Sequence, residues 1–308
     1  MHRDPPSIHW RVVLAYACMC LIWSSTWTMI KVGLRGAPPL TAVSVRFLVA
    51  ALLVGAGLLV RRLALPRTGR FWGLSLALGI FQIALPYMLV YWAEQRISSG
   101  LTAVLYSTMP LVVAMFARGL LGDRLSVAKV TGIAVGIGGV GLIFSDHLHV
   151  DSSIGVAAVL VSVVFASLSS VLAKRFGTGY DPQVLLLPTF AVGGLVTAAV
   201  AMPLERSNPL AYDMLTWVTI LYLAVVGSVA AFSLFLWVLR HIDVTVVAYQ
   251  TFIIPILAVL LGWLLLDETI TPRTGLGAAL ILGGIAVATV HASRTGKRPP
   301  PSQNTRTR

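Results

Sequence analysis

Charge is what this chain has least of. Only 11% of its 308 residues are Asp, Glu, Lys or Arg, and only 11 are acidic, where a soluble domain carries about 25% charged residues. So few charges cannot solvate a globule, and with 57% hydrophobic residues the chain reads as a polytopic membrane protein. Cysteine is almost missing: Cys18 and Cys20 stand alone in the first apolar run. That excludes a disulfide framework and a four-ligand metal site and leaves two small packing residues. Neither a metal nor a cofactor is expected. No GxxxxGK, HExxH or GxSxG motif occurs, which removes support for ATP-driven transport and the common hydrolases. His2, His9, His147, His149, His241 and His291 fall in breaks or at span ends, whereas a membrane-embedded enzyme needs reactive groups gathered at one depth. The formal net charge of +12 does not indicate nucleic acid, because the basic residues lie in short breaks between apolar runs rather than on one face.

What is present is a series of apolar runs. A bilayer core takes about 20 residues of helix, and runs at 12–34, 41–60, 71–93, 98–118, 127–144, 154–174, 183–203, 215–237, 244–266 and 273–291 predict an all-α fold of ten transmembrane helices. The runs are apolar all round, where barrel strands would alternate. The first is too long for a signal-peptide core and is expected to stay uncleaved. Taking breaks and termini alternately, one side holds Arg3, Arg11, Arg61, Arg62, Arg67, Arg70, Arg118, Arg124, Lys129, Lys174, Arg175, Arg240, Arg294, Lys297, Arg298, Arg306 and Arg308, and the other only Lys31, Arg35, Arg96, Arg206 and Arg273. That asymmetry predicts a multi-pass protein of the inner (plasma) membrane with both termini cytoplasmic. Residues 1–11 form a cytoplasmic N-terminus, and the Pro-, Thr- and Arg-rich residues 292–308 read as a disordered basic tail. The expected partners are the lipid bilayer and a small-molecule substrate. Monomer and dimer both stay open.

The chain also repeats itself. Residues 101–142 return as 246–287: a shift of 145 sets Pro110 on Pro255, Asp123 on Glu268, Gly132 on Gly277, Gly138 and Gly139 on Gly283 and Gly284, and Trp92 on Trp237. A shift of 143 sets Lys31 on Lys174 and Pro39 on Pro182. Residues 12–144 and 154–291 are therefore expected to be two five-helix repeats. Five is odd, so the second copy must enter the bilayer from the opposite face. Inverted repeats of this kind let a central site close to one side as it opens to the other.

Polar residues within the runs mark candidate sites. Pro110 and Pro255 each lack an amide hydrogen and free the carbonyl four residues earlier, at Tyr106 and Thr251. Two readings stand: a kink satisfied by nearby hydroxyls, or a wet cavity at half depth. Tyr249 and Gln250 lie within a turn. Trp23, Trp27 and Lys31 share one helix face, as do Tyr87, Tyr91 and Glu94. Tyr91, Trp92 and Trp237 at span ends also fit interfacial anchors. No acidic residue lies in the middle of a run, so the central carboxylate that would hold a cation is missing. The intruding charges are Lys31, Arg46 and Lys174, which either snorkel to the interface or, facing a cavity, favour a carboxylate-bearing, zwitterionic or anionic substrate. Gly132 and Gly136, with Gly275, Ala279 and Gly283, place small residues at every fourth position, a close-packing pattern.

The stretches WSSTWTMIKVGL (23–34), PPLTAVSVRFLVAALLV (38–54), ISSGLTAVLYSTMPLVVAMFARGLLGDRLS (97–126) and IDVTVVAYQTFIIPILAVLLGWLLLDETIT (242–271) resemble the ten-span EamA family of the drug/metabolite transporter superfamily, over residues 12–291. One departure is Gly122-Asp123 where the family usually has Gly-Glu. The resemblance implies an exporter of amino acids or other small metabolites with a cavity between two bundles. A broader drug or nucleotide-sugar carrier is the alternative. Trp23, Trp27, Tyr87, Tyr91, Tyr106, Tyr249, Gln250 and Thr251 are the expected substrate-binding residues, and Pro110 and Pro255 the bends that gate them. Lys31, Arg46, Glu94 and Lys174 are the candidates for a charge role. Facilitated diffusion and coupling through Glu94 or His241 both remain open.

Overall fold

The computed structural model describes residues 10–122, 126–146, 150–205, 208–239, 241–242, 247 and 249–295. Expectations for the segment before Trp10, the tail after Thr295 and the loop residues Asp123, Arg124, Arg206, Arg240 and Asp243 lie outside them. Among the described residues every regular element is helical. The rods are α1 Trp10–Gly33, α2 Pro39–Val60, α3 Gly69–Glu94, α4 Ser99–Leu121, α5 Val127–Asp146, α6 Val150–Phe176, α7 Pro182–Leu204, α8 Met214–Val238, α9 Gln250–Leu266 and α10 Pro272–Thr295. Seven of them are long and apolar enough to cross a bilayer, and shorter apolar segments lie in α5, α9 and α10.

The starts of the helices are written in short polar residues. The Thr68 and Ser98 hydroxyls accept from the Phe71 and Leu101 amides at 3.3 and 3.2 Å. Asp181 and Asp213 accept from the Gln183 and Thr216 amides, each at 2.8 Å. Each satisfies one of the amides that a helix start leaves unpaired. Gly122 ends α4 at φ 73°, a left-handed conformation that glycine adopts without a Cβ clash.

Two rods carry wide turns at repeat-related places: α3 over Gly79–Ala84 and α8 over Leu223–Ala230. In α3 the wide turn runs into Pro86, which has no amide for the Gln82 carbonyl. In α8 the Ser228 hydroxyl donates to the Leu223 carbonyl at 3.0 Å. α4 is interrupted by a turn at Ser107 and Thr108, with Pro110 at the start of its second half. Pro255 stands inside α9, whose described helix begins only at Gln250, so it lies in the second turn of that helix rather than at its middle.

Repeat mates pack on each other, α2 on α7 and α5 on α10. The second crossing is reciprocal. A Cβ on Gly139 would stand 2.6 Å from the Gly277 carbonyl oxygen, and one on Gly284 would stand 2.5 Å from that of Gly132. Only glycine lets these backbones meet. Two apolar cores flank the centre, one around Phe47, Ile83, Phe190 and Leu223, the other around Leu105, Ile143, Val159 and Ile281, and Tyr106 packs against both. Large apolar side chains such as Leu52, Leu59, Leu195 and Trp263 face outward, as lipid contact requires and a soluble surface does not.

Candidate functional site

Between the two cores lies a cavity of about 340 Å³, within the range of about 300–1,000 Å³ usual for small-molecule sites. α1 contributes Trp23, Thr26, Trp27 and Ile30, α3 Tyr87 and Val90, and α4 Tyr106, Met109 and Pro110. From the other half come Ala166 and Ser170 of α6, Phe232 and Phe235 of α8, and Gln250, Thr251, Ile254 and Pro255 of α9. These positions are paired. A shift of 145 carries Tyr87 to Phe232, Val90 to Phe235, Tyr106 to Thr251, Met109 to Ile254 and Pro110 to Pro255, and a shift of 143 carries Trp23 to Ala166 and Trp27 to Ser170.

The wall is aromatic. The Trp23 ring meets Phe232 at 5.6 Å and Phe235 at 5.4 Å, and Trp27 meets Tyr106 at 5.3 Å, separations typical of edge-on and tilted ring pairs. Polar groups are few, and among the described residues no acidic side chain lines the cavity. The side-chain oxygen of Gln250 is buried without a hydrogen-bond partner, an acceptor whose need is unmet by the protein.

The structure therefore brings Trp23, Trp27, Tyr87, Tyr106, Gln250 and Thr251 together with both prolines, and sets two expected residues apart. Tyr91 is 2% exposed and turned away from the cavity, its hydroxyl accepting from Arg46. Tyr249 is 45% exposed beside Phe252. Lys174 is exposed in the last turn of α6, and His241 stacks on Trp237 near the end of α8. Reading for prolines and tryptophans misses Pro86, Ser170, Phe232 and Phe235. Extending the repeat shift to Tyr87 would have found Phe232, whereas Phe235 pairs with the non-aromatic Val90.

Arg46 does not snorkel. It is 2% exposed, with Nε donating to the Ser228 hydroxyl at 3.2 Å and Nη1 to the Tyr91 hydroxyl at 3.1 Å. Its guanidinium lies 4.9 Å from the ring centres of both Phe47 and Tyr87. A planar, weakly hydrated cation tolerates such a site where an ammonium would not. Tyr87 stands between it and the cavity.

At the end of the bundle that carries the α1–α2, α3–α4 and α9–α10 connections, the halves are clamped. Glu268 accepts from the Ser99 amide at 2.7 Å, the Ser99 hydroxyl at 3.0 Å and the Gly100 amide at 3.1 Å. Glu205 does the same at the start of α2, accepting from the Leu40 amide at 2.8 Å and from the Thr41 amide and hydroxyl at 2.7 Å each. Both place a carboxylate on a helix N-terminus, where amides and macrodipole favour it. Lys31 donates to the carbonyls of Glu94 and, at 2.7 Å, Ile97 at the end of α3. A second cavity of about 310 Å³ opens there, lined by Lys31, Leu34, Arg35, Glu94, Gln95, Leu266 and Glu268.

An apolar helical bundle around a small cavity shared by two similar halves defines a membrane transporter. The profile of the EamA-like transporter family matches residues 10–145 and again 153–290, and the chain belongs to that family. It is similar to the uncharacterized inner membrane transporter YedA of Escherichia coli, 27% identical over 284 residues covering 90% of each chain. It is also similar to the uncharacterized transporter YoaV of Bacillus subtilis, 27% identical over 288 residues covering 92% of this chain and 98% of that one. A solved crystal structure shares the fold with a TM-score of 0.67 at 21% identity, covering 92% of this chain and 99% of the other.

Proposed function

We propose that the protein is an alternating-access exporter of the inner membrane that moves a small amphipathic metabolite, an amino acid with an apolar side chain or a close relative. In this reading α1–α10 all cross the bilayer as two inverted five-helix repeats, residues 12–144 and 154–291, with both termini cytoplasmic. The clamped end is then extracytoplasmic, and the structure is the outward-closed state. One observation carries the proposal: α1, α3 and α4 of one half and their counterparts α6, α8 and α9 of the other supply repeat-paired residues to a single cavity. The reciprocal glycine crossing of α5 and α10 supports the two-fold relation. Inverted repeats that share a midplane site are the architecture of alternating access. Ring faces suit an apolar side chain, and the Gln250 oxygen suits an ammonium donor. The buried positive charge of Arg46 behind Tyr87 favours a ligand that also bears a carboxylate.

The test is a panel of compounds presented to purified protein and to inside-out vesicles. L-phenylalanine and L-leucine are expected to raise the melting temperature, by about 2.7 kcal/mol of stability at 100-fold over Kd, and to accumulate in vesicles. Tyr106→Ala, which strips the ring facing Trp27, is expected to abolish the ligand-induced shift. A broader drug or nucleotide-sugar carrier would instead respond to lipophilic cations or UDP-glucose and ignore both amino acids.

A further inference from the structure

We propose that Arg46 makes the central cavity select ligands that bear a carboxylate and reject cations that lack one, acting through the Tyr87 ring without touching the ligand. The inference rests on the reading of that cavity as the transport site. Among the described residues no Asp, Glu, Lys, Arg or His lines the cavity, so its potential is set by charges behind the wall. One stands directly behind it: Tyr87 lines the cavity, and the guanidinium of Arg46 lies 4.9 Å from the centre of its ring. Every group that holds Arg46 is neutral. Nε and Nη1 donate to the Ser228 and Tyr91 hydroxyls, and Phe47 is the second ring against it. These contacts satisfy donors and leave the positive charge uncancelled, and arginine keeps that charge when buried.

Other charges do not oppose it. Glu94, 0% exposed and with neither side-chain oxygen hydrogen-bonded, stands seven residues beyond Tyr87, about 10 Å along α3. It borders the outer cavity at the clamped end, where two basic residues, Lys31 and Arg35, match two acidic ones, Glu94 and Glu268, so that end adds no net negative potential. A carboxylate hydrogen-bonded to the Tyr87 hydroxyl stands roughly 8 Å from the guanidinium, where an effective dielectric of about 20 makes the attraction worth about 30-fold in affinity. An ammonium in the same place is repelled by the same factor. The intervening ring adds to the preference, because a cation against a phenol draws electron density from it and makes its hydroxyl a better donor. L-phenylalanine brings both charges and 2-phenylethylamine only the cation. The ammonium is common to the two, so the ratio of their affinities isolates the carboxylate.

Titration calorimetry on the purified full-length protein at neutral pH reads that ratio. The wild type should bind L-phenylalanine more tightly than 2-phenylethylamine. Arg46→Met keeps an unbranched side chain and removes its charge, so the ratio should fall about 30-fold, with the amine gaining affinity. Tyr87→Phe removes only the hydroxyl and should lower the ratio about tenfold. A purely structural Arg46, holding the wide turn of α8 through Ser228, would weaken both compounds alike and leave the ratio unmoved. A folded Arg46→Met protein with the wild-type ratio overturns the proposal. So does a wild type that binds the two compounds equally or prefers the amine, and this decides the matter where Arg46→Met does not fold. If the wild type binds neither compound, the transport-site reading fails and the proposal falls with it. If both bind and the ratio ignores Arg46, the proposal alone falls.

Discussion

In the proposed alternating-access reading, in which the clamped end faces outward, removing the Glu268 carboxylate should open that end, and the contacts it makes set the size of the effect. Glu268→Ala deletes an acceptor for two amides and one hydroxyl at the start of α4. The site is half-buried and borders the outer cavity, so water screens the charge and competes for the amides. The loss is then about 1–2 kcal/mol, in the range of helix caps, and shifts the outward-open population about 5- to 30-fold. Glu205→Ala removes a separate clamp on α2 with no shared partner, so the double variant should multiply the two factors. Val90→Cys, in a background with Cys18 and Cys20 replaced by serine, reports the change: Val90 lines the central cavity and is 2% exposed. A membrane-impermeant maleimide added outside should label it faster by the same factor. Glu268→Gln keeps an acceptor oxygen but not the charge and should fall between. An unchanged labelling rate in folded Glu268→Ala protein would refute the clamp.

Gly139→Leu drives a side chain into the Gly277 carbonyl and should cost about 1–3 kcal/mol, read as a lower melting temperature in detergent. Ser228→Ala removes both the acceptor for Arg46 Nε and the donor to the Leu223 carbonyl; at 0% exposure it should destabilise by about 1.5–3 kcal/mol, whereas Ser233→Ala one turn on serves as a control. Asp213 lies at the N-cap of α8, and hydrogen bonds from the Thr216 side chain and backbone hold its carboxyl group below the usual carboxylate range. A depressed folded pKa means that the stabilisation is fully present above the ordinary value of about 3.9 and lost as pH falls through the lower folded value. Asp213→Asn should therefore flatten the acid limb of the melting-temperature profile without changing its slope at neutral pH.

Much of the central cavity was legible because the repeat prints itself in rare residues. Two prolines at a shift of 145, and two tryptophans one helical turn apart, mark positions where an apolar composition leaves little noise. The wide turn before Pro86 went unread because a lone proline does not tell whether a helix kinks, breaks or widens; that depends on how neighbouring helices meet the freed carbonyl. Tyr91 shares a helix face with Tyr87 but points at Arg46, since one face of a buried helix spans contacts with several neighbours.

Composition and hydrophobic run length alone determined that the chain is helical and lives in a bilayer, because a hydrocarbon solvent admits few ways to satisfy a backbone, and the repeat was likewise readable from spacing. Only the tertiary structure decided what the charges do. Arg46 on α2 and Glu94 on α3 are 48 positions apart in the chain (94 − 46), and whether a buried charge is paired, stacked on rings or left without a partner depends on which side chains the packing brings within a few ångströms of it.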